Sequence, residues 1–454
     1  MLKHDAELRS LKPFPHALAM RVRDRLHLDR LRRSTPTPWN RFLFGLALIG
    51  PGILVMLGDN DAGGVITYAQ TGASNGLGIF IPLILPLAFI AYVVQEMTIR
   101  LGAVTRRGHA ELIWKRYGPF WGAFSLFDLV AANVLTLMTE FIGIRIASEA
   151  FGMPAWIAVL ASLLLVSFVL IFLRYWTWER VALVIAAFNL VFVPLTLASH
   201  PDWQSVAASF AHTGIPGGLT GMFSASFLIL VSANIGTTIA PWQLFFQQSC
   251  VVDKGLLPAD IPASRRDLAL GVGGMAIVAL AIIILSGQYI HGMPGAANFD
   301  TAGILSAVGR RVGAWAMTLF ALGLLEAGLI AAIVITASTA WAIGEAFDLP
   351  KSINDDPRKA AGFYVPSLLG TTLAAVVVML PNVPLGFLNL TVQVIATVFM
   401  PAAMFFLLML LNDRELMGLH VNTTARNAVS IAILLALVAC NVLYAIATLF
   451  PQGG

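Results

Sequence analysis

Stretches of about 20 consecutive apolar residues recur along this chain from residue 42 onward, and no other feature restricts its fold as strongly. A helix needs roughly 20 such residues to cross the ~30 Å hydrocarbon core of a membrane. Eleven stretches reach that length, so the sequence predicts an all-α membrane protein with eleven transmembrane helices. The predicted spans are 42–74, 78–101, 120–149, 155–173, 179–198, 221–251, 267–289, 313–343, 360–380, 386–411 and 427–449.

The charged residues support this count and predict an orientation. Only 11% of the residues are charged, against about 25% in a soluble domain, which excludes an ordinary cytosolic enzyme and a nucleic-acid-binding domain. Ten of the 28 Lys and Arg residues lie in residues 1–41, which we interpret as a basic cytoplasmic tail. With this tail inside, 25 basic residues are cytoplasmic and 3 are not, as the positive-inside rule requires. Eleven helices then place the C-terminus outside, and a bacterial inner membrane is the predicted location.

Acidic residues interrupt the first apolar stretch. Asp59, Asn60 and Asp61 are followed by Gly63 and Gly64 in the middle of the stretch. A single charge at bilayer depth is unfavourable by about 2.5 kcal/mol or more, so acids at this depth are functional candidates. The structural alternative is that an acid caps the second half of a broken helix. A cap explains one of the two acids and leaves the other unexplained.

The sixth stretch is interrupted as well, by Gly236, Thr237, Thr238 and Pro241. Proline has no N–H and clashes with the preceding turn, which leaves carbonyl groups near residues 236–238 without helical partners. The sixth stretch is therefore predicted to be a second broken helix.

Breaks at the first and sixth positions divide the chain into two five-helix halves, 42–198 and 221–411, with the helix at 427–449 outside both. Matching broken helices in two halves are typical of secondary transporters with inverted repeats. The predicted fold is therefore a leucine-transporter-like 5+5 inverted repeat with broken helices 1 and 6.

Two broken helices that meet near the middle of the membrane offer a set of oxygen ligands. Unwound backbone is tolerated there only where it is buried or lines a cavity. Asp61 supplies a carboxylate, Asp59 or the Asn60 amide supplies a second group, and carbonyls near Gly236 and Thr237 supply the rest. Such hard oxygen ligands suit a small divalent cation better than an anion or a sugar.

These motifs resemble those of the Nramp family of divalent-metal transporters. GDNDAGG at 58–64 is similar to the family's Asp-Pro-Gly-Asn break, and Ala240, Pro241 and Trp242 stand where the family has Met-Pro-His. QEMTIRLGAVTRRGHAELI, TEFIG and LFALGLLEAG extend the resemblance over nearly all of residues 42–450. The resemblance implies that the Asp61 carboxylate and the Thr237 carbonyl bind the metal.

The departures from the family pattern bear on selectivity and coupling. Gly64 replaces the family's Asn amide, and Ala240 replaces a Met thioether that favours softer transition metals. Trp242 and Leu137 stand where the family has a titratable His and Asp. In these respects the chain is similar to the Nramp-related magnesium transporters. Mg²⁺ dehydrates reluctantly and keeps several waters, so a site trimmed at Gly64 and Ala240 is expected to hold a partly hydrated ion.

Five side chains are candidates for the transport pathway or the site. Glu326 is expected to attract hydrated cations or to be a hydrogen-bonded structural acid, and Glu140 to serve the pathway or to pair with Arg145. Gln393 is expected to line the metal site or to bond across helices. Trp242 and Asp59 complete the predicted pathway.

The sequence therefore predicts a transporter that moves Mg²⁺, and also Mn²⁺, by alternating access without proton coupling. The alternatives are a proton-coupled Mn²⁺/Fe²⁺ importer of the Nramp type and, in another class, an intramembrane aspartate-dependent enzyme. Asp59 and Asp61 are two residues apart in one broken segment, whereas protease aspartates lie on facing helices, which disfavours the enzyme. No cofactor is expected beyond the transported ion, and the predicted partners are that ion and the lipid bilayer, without nucleic acid or an obligate protein.

Overall fold

The computed structural model describes residues 50–211, 218–221, 224–296 and 299–449. Every regular element in these residues is a helix, which confirms the predicted all-α fold. The predicted tail at 1–41 and the start of the first span lie outside the described residues. The orientation of the termini therefore stays a prediction.

Most of the described connections between helices are short, and a longer one of 14 residues spans 347–360. Among the described residues, 3₁₀ turns lie between α-helices at Phe188–Val191, Pro258–Asp260 and Gly418–His420. The α-helices are α1 (Pro51–Leu57), α2 (Ala62–Asn75), α3 (Phe80–Thr105), α4 (His109–Tyr117), α5 (Pro119–Ala150), α6 (Ala155–Phe172), α7 (Tyr175–Ala187), α8 (Phe192–Ala198), α9 (Trp203–Ala211), α10 (Gly218–Gly221), α11 (Ala225–Thr238), α12 (Pro241–Asp253), α13 (Ile261–Tyr289), α14 (Thr301–Arg311), α15 (Ala314–Ala346), α16 (Ala361–Met379), α17 (Leu385–Leu411), α18 (Arg414–Met417) and α19 (Thr424–Leu449).

The predicted membrane spans match these helices. In the described part of the chain, ten helical segments are long and apolar enough to cross a membrane. The remaining predicted span is the broken pair α1 and α2, whose halves of 7 and 14 residues are each too short to cross alone.

The structure differs from the predicted spans where helices carry charge. Helix α13 begins at Ile261 and not at residue 267, because a proline in its first turn favours helix initiation. Arg265 and Arg266, which the apolar pattern placed in a loop, are helical. Helices α4 and α14 were not predicted, since both are short and amphipathic and leave no long apolar stretch in the sequence.

Both predicted breaks are present. Helix α1 ends at Leu57 and α2 begins at Ala62, so residues 58–61 separate the halves. Helix α11 ends at Thr238 and α12 begins with Pro241. Since Pro241 has no N–H, the Thr237 carbonyl lacks the donor that a continuous helix would provide.

Helix packing brings the two breaks together in the core. Helix α2 packs against α13, α5, α11 and α15, and α11 packs along α17. Glycines allow this close approach: a Cβ on Gly143 of α5 would collide with the Ala62 side chain, and one on Gly236 of α11 with the Gln393 carbonyl of α17. The breaks are therefore enclosed by α5, α13, α15 and α17.

A buried ion pair lies beside the start of α1. The Lys254 ammonium is 3.0 Å from both carboxylate oxygens of Glu179, and the Lys254 side chain is fully buried. Asp267 of α13 accepts hydrogen bonds from the backbone N–H groups of Gly50 (3.1 Å) and Gly52 (2.7 Å). The N–H groups at the start of α1 are thus satisfied by a carboxylate from another helix, as helix ends require.

Candidate metal site at the two broken helices

Asp61 begins the second half of the first broken helix. Its Oδ1 accepts a hydrogen bond of 2.5 Å from the Gly64 N–H, and its backbone is extended, so it is the N-cap of α2. The predicted alternative, in which an acid caps the second half of the broken helix, therefore describes the contact that Asp61 makes. The cap uses one lone pair of one oxygen, so the carboxylate keeps further acceptor sites for a cation.

Asp59 has a different role. Its Oδ1 accepts a hydrogen bond from the Gln243 amide of α12, and Gln243 in turn accepts one of 3.0 Å from Gln95 of α3. Its Oδ2 is buried and has no hydrogen-bond partner among the described residues. Asp59 thus links the two broken helices and retains an acceptor for a cation or a water molecule.

Asn60 is turned toward helix α13. Its Nδ2 donates to the Met275 carbonyl at 3.2 Å, and its backbone carbonyl accepts from Asn189 at 2.8 Å. Its Oδ1 has no partner among the described residues. The sequence left Asp59 and Asn60 open as the second ligand. The Asp59 side chain is a carboxylate, whereas the Asn60 amide already donates a hydrogen bond to α13.

Glu140 of α5 lies at the start of α2. Its Oε2 accepts a hydrogen bond of 2.9 Å from the Ala62 N–H, and its Oε1 accepts one of 2.9 Å from Thr139. The pairing with Arg145 is not formed, because Arg145 donates to Glu149 at 3.0 Å and to the Val378 carbonyl at 2.7 Å. Glu140 and Asp61 therefore bind the first N–H groups of the same helix, where the positive end of the helix dipole favours acids.

The second broken helix contacts this start directly. A Cβ on Gly64 would lie 2.6 Å from the Thr237 hydroxyl oxygen, and one on Gly63 would collide with the Gln393 amide. Thr237, Gly64 and Gln393 are thus brought together with Asp61. The additional room that was expected at Gly64 for a hydrated ion is occupied by the Thr237 side chain.

Several polar atoms around this contact have no hydrogen-bond partner among the described residues. They are Asp59 Oδ2, Asn60 Oδ1, Thr237 Oγ1 and Gln393 Nε2. An unpaired buried polar group is unfavourable by about 1–3 kcal/mol, which favours a bound ion or water beside these atoms. Three of the four are oxygens, as a divalent cation requires.

Ala240 and Trp242 flank Pro241 at the start of α12. Ala240 is buried and carries no donor atom in its side chain, so only its backbone can contribute to the site. The Trp242 carbonyl accepts from Ser338 at 3.0 Å, and its ring packs against Phe246 at a centroid distance of 5.9 Å. Trp242 is therefore packed into the core next to the second break.

Glu326 is buried in α15, and both of its carboxylate oxygens are without a hydrogen-bond partner in the described residues. Gly328, two residues further on, packs against the Glu140 backbone. Two residues of an α-helix differ by about 200° around its axis. Glu326 therefore lies on the opposite side of α15 from the Gly328 position that packs against Glu140, and its role in the pathway stays a prediction.

Sequence reasoning missed Gln243, Gln95 and Thr139, which fix the two acids Asp59 and Glu140. Gln243 lies in the PWQLFFQQS segment, one residue after Trp242, and its polarity inside an apolar stretch was the available signal. Within the described residues, no three His, Cys, Asp or Glu side chains are arranged to hold a metal ion. A cation at this site would need carbonyl and amide oxygens in addition to carboxylates.

The amino-acid sequence is similar to a known family and to known proteins. The sequence model of the Nramp family, described as natural resistance-associated macrophage protein-like, matches residues 52–447. The chain is 25% identical over 425 residues to the divalent metal cation transporter MntH of Verminephrobacter eiseniae, covering 90% of this chain and 89% of that protein. It is 27% identical over 396 residues to the divalent metal cation transporter MntH 1 of Pseudomonas aeruginosa, covering 82% and 85%.

Solved structures share the fold. A crystal structure of the Eremococcus coleocola manganese transporter superimposes with a TM-score of 0.72 at 19% identity, covering 92% of this chain and 91% of that one. The structure of MhsT in complex with L-phenylalanine superimposes with a TM-score of 0.54 at 15% identity, covering 86% and 98%. The leucine-transporter-like fold predicted from the broken helices is confirmed.

Proposed function

This chain belongs to the Nramp family of multi-pass metal cation transporters, and from that premise we propose that it carries its ion through the site between the two broken helices. The observation that supports this location is the meeting of Asp61, Asp59 and Thr237 at one buried point with unpaired oxygen atoms. Backbone breaks at membrane depth are where such transporters bind ions. Movement of the two helix halves about these breaks would expose the ion to each side in turn.

Two ions are candidates for transport. The names of the relatives and of the neighbouring structures, divalent metal cation transporter and manganese transporter, favour the alternative Mn²⁺ reading over the Mg²⁺ preference that the sequence predicted. Mn²⁺ is therefore the first candidate. Mg²⁺ is the second, because Gly64 and Ala240 leave the site without a sulfur ligand, and carboxylates, carbonyls and water suit Mg²⁺ and Mn²⁺ alike.

Uptake by purified protein in liposomes tests the assignment. Metal-free liposomes loaded with a Mn²⁺- or Mg²⁺-sensitive dye are expected to show saturable uptake of at least one of the two ions. Protein-free liposomes provide the background. Uptake at background level for both ions, from monodisperse protein, would contradict the proposed function.

Selectivity is expected to respond to a sulfur atom at position 240. Ala240→Met adds a soft ligand beside the break and should raise the preference for Mn²⁺ over Mg²⁺ at least several-fold in competition uptake. Ile277→Met is the matched control, since this α13 side chain is 53% exposed on the outer surface of the bundle. An unchanged ratio in Ala240→Met would mean that the side chain at 240 does not face the ion. Gly64→Asn is avoided because its Cβ would displace Thr237.

Proton coupling is a separate question, and the family comparisons lend no support to the uncoupled mechanism that the sequence predicted. The residues of this chain do favour it: Trp242 and Leu137 are buried and cannot titrate. His109, in the connecting helix α4, bonds to Gln248 of α12 at 3.1 Å, and its burial lowers its pKa to about 4. It is therefore uncharged near neutral pH and is protonated only when the pH falls toward 4. Asp59 and Asp61 are assigned to the ion here, so Glu140 is the site acid that is left as a candidate proton carrier.

We expect metal entry without acidification of liposomes that contain a pH dye. Glu140→Gln is the informative variant, because its amide oxygen can still accept from the Ala62 N–H while it can no longer exchange a proton. Acidification that scales with metal entry and disappears in Glu140→Gln would establish proton symport and overturn the uncoupled mechanism.

A further inference from the structure

A groove of about 400 Å³ lies between α3, α13 and α19, and none of the candidate metal-site residues lines it. One end is lined by arginines from three different helices, namely Arg100, Arg265 and Arg426, together with Glu96. The other part is lined by apolar and aromatic side chains that include Phe89, Tyr92 and Val429. The groove therefore has a basic end and an apolar end.

The basic end has a surplus of positive charge. Glu96 accepts from Arg100 at 2.9 Å and from Arg265 at 2.5 Å, so one acid serves two of the three arginines. Arg426 is exposed at the same end. The three arginines and Glu96 together carry a net charge of +2, which favours binding of an anion at this end.

The apolar end faces the membrane. The Phe89 side chain is 58% exposed and that of Val429 is 39% exposed, on helices long and apolar enough to cross the bilayer. Phe89 and Arg100 are 11 residues apart on α3, which at ~1.5 Å per residue is about 16 Å along the helix. This length fits a headgroup, a glycerol backbone and the first part of an acyl chain.

We propose that this groove binds an anionic phospholipid, with its phosphate at the three arginines and an acyl chain along Phe89 and Tyr92. Basic pockets between membrane helices recognise acidic headgroups, and arginine binds phosphate through paired N–H groups. A free phosphate compound would contact the basic end alone and would leave the apolar end of the groove unoccupied. The chain's own tail, with ten basic and four acidic residues in 1–41, carries the wrong charge to neutralise the groove.

Native mass spectrometry of the purified full chain tests this proposal with phosphatidylglycerol and phosphatidylcholine of the same acyl chains. We expect the wild type to retain phosphatidylglycerol in preference. Arg426→Gln and Arg265→Gln should each reduce that preference about fivefold, as expected for one basic residue near an anionic headgroup. Arg180→Gln is the matched control, since Arg180 is an exposed arginine within α7 that does not line the groove. It should leave the preference unchanged.

The Glu96→Gln variant distinguishes a charge effect on lipid binding from a general loss of packing. Glu96 is the one acid among the described residues that line the groove, and removing its charge should increase the preference for phosphatidylglycerol, although the variant breaks two ion pairs. A preference that is absent in the wild type, or equal in wild type, Arg426→Gln and Glu96→Gln, would overturn the proposal. Competition by glycerol 3-phosphate at equal concentration would assign the basic end to a soluble phosphate compound and would likewise contradict it. None of these outcomes depends on which ion is transported.

Discussion

Replacing Asp61 by Ala or by Asn is expected to abolish metal transport. Asp61 contributes a formal charge at the point where the two broken helices meet, next to the unpaired oxygens of Asp59 and Thr237. Loss of groups that merely orient a metal ligand lowers affinity by about 10- to 100-fold, so loss of a ligand should lower it by at least ~100-fold. Ion uptake into liposomes and calorimetric titration with Mn²⁺ and Mg²⁺ measure the two effects.

The Asn variant separates the two roles of this side chain. Asn is as good an N-cap as Asp, whereas Ala removes the cap and lowers stability by about 1 kcal/mol. Asp61→Asn therefore keeps the bond to Gly64 and loses only the charge. If Asp61→Asn transports at the wild-type rate while Asp61→Ala is merely less stable, Asp61 is a cap and not a metal ligand.

Replacing Lys254 by Met is expected to cause the largest loss of stability. Lys254 is fully buried and bonds both oxygens of Glu179 at 3.0 Å, so the variant leaves a buried carboxylate without its counter-charge. Breaking a buried pair in this way lowers the free energy of unfolding by about 3–5 kcal/mol. Thermal unfolding of the purified protein in detergent, followed through loss of monodisperse protein, measures the change.

Two further variants make this result interpretable. Lys254→Met combined with Glu179→Leu removes both charges and should recover much of the stability, because a buried pair is itself only weakly stabilising. Glu149→Gln breaks the pair with Arg145, in which the Glu149 side chain is 47% exposed, and should change stability by no more than about 1 kcal/mol. Equal losses in Lys254→Met and Glu149→Gln would contradict a special role for the buried pair.

The ion pair also bears on how the transporter opens. A Cβ on Gly50 would lie 2.7 Å from the Lys254 ammonium, so the pair sits against the start of α1. Asp267 binds the first N–H groups of that same helix half. The Asp267 hydrogen bonds therefore join the start of α1 to α13, and movement of α1 away from α13 would require them to break.

Most of the membrane architecture follows from the sequence alone. Apolar length is set by the thickness of the bilayer, and backbone groups in lipid must be paired within a helix, so eleven long apolar stretches leave little choice of fold. The two helix breaks could also be predicted from the sequence, because Pro241 and the acids around Asp61 cannot continue an apolar helix. The family resemblance rested on the order and spacing of these same residues.

Tertiary packing decided what each polar residue contacts. Asp59 and Asp61 look equivalent in the sequence, yet Gln243 binds the first and the Gly64 N–H binds the second. The sequence allowed Glu140 to be either a pathway acid or the partner of Arg145. In the structure Glu140 accepts a hydrogen bond from the Ala62 N–H. Sequence spacing places a residue on one face of a helix but gives no information about which distant helix presents the complementary donor.

The same limit explains the space around the metal site. The sequence identified Gly64 and Ala240 as small residues and suggested a larger cavity, whereas the Thr237 hydroxyl lies where a Gly64 side chain would begin. Whether a missing side chain leaves an open cavity depends on how closely neighbouring helices approach, and dense packing normally fills such space. Residue types along the chain determined the membrane fold and the ligand chemistry, and the approach of α2, α11 and α17 decided which of those ligands meet.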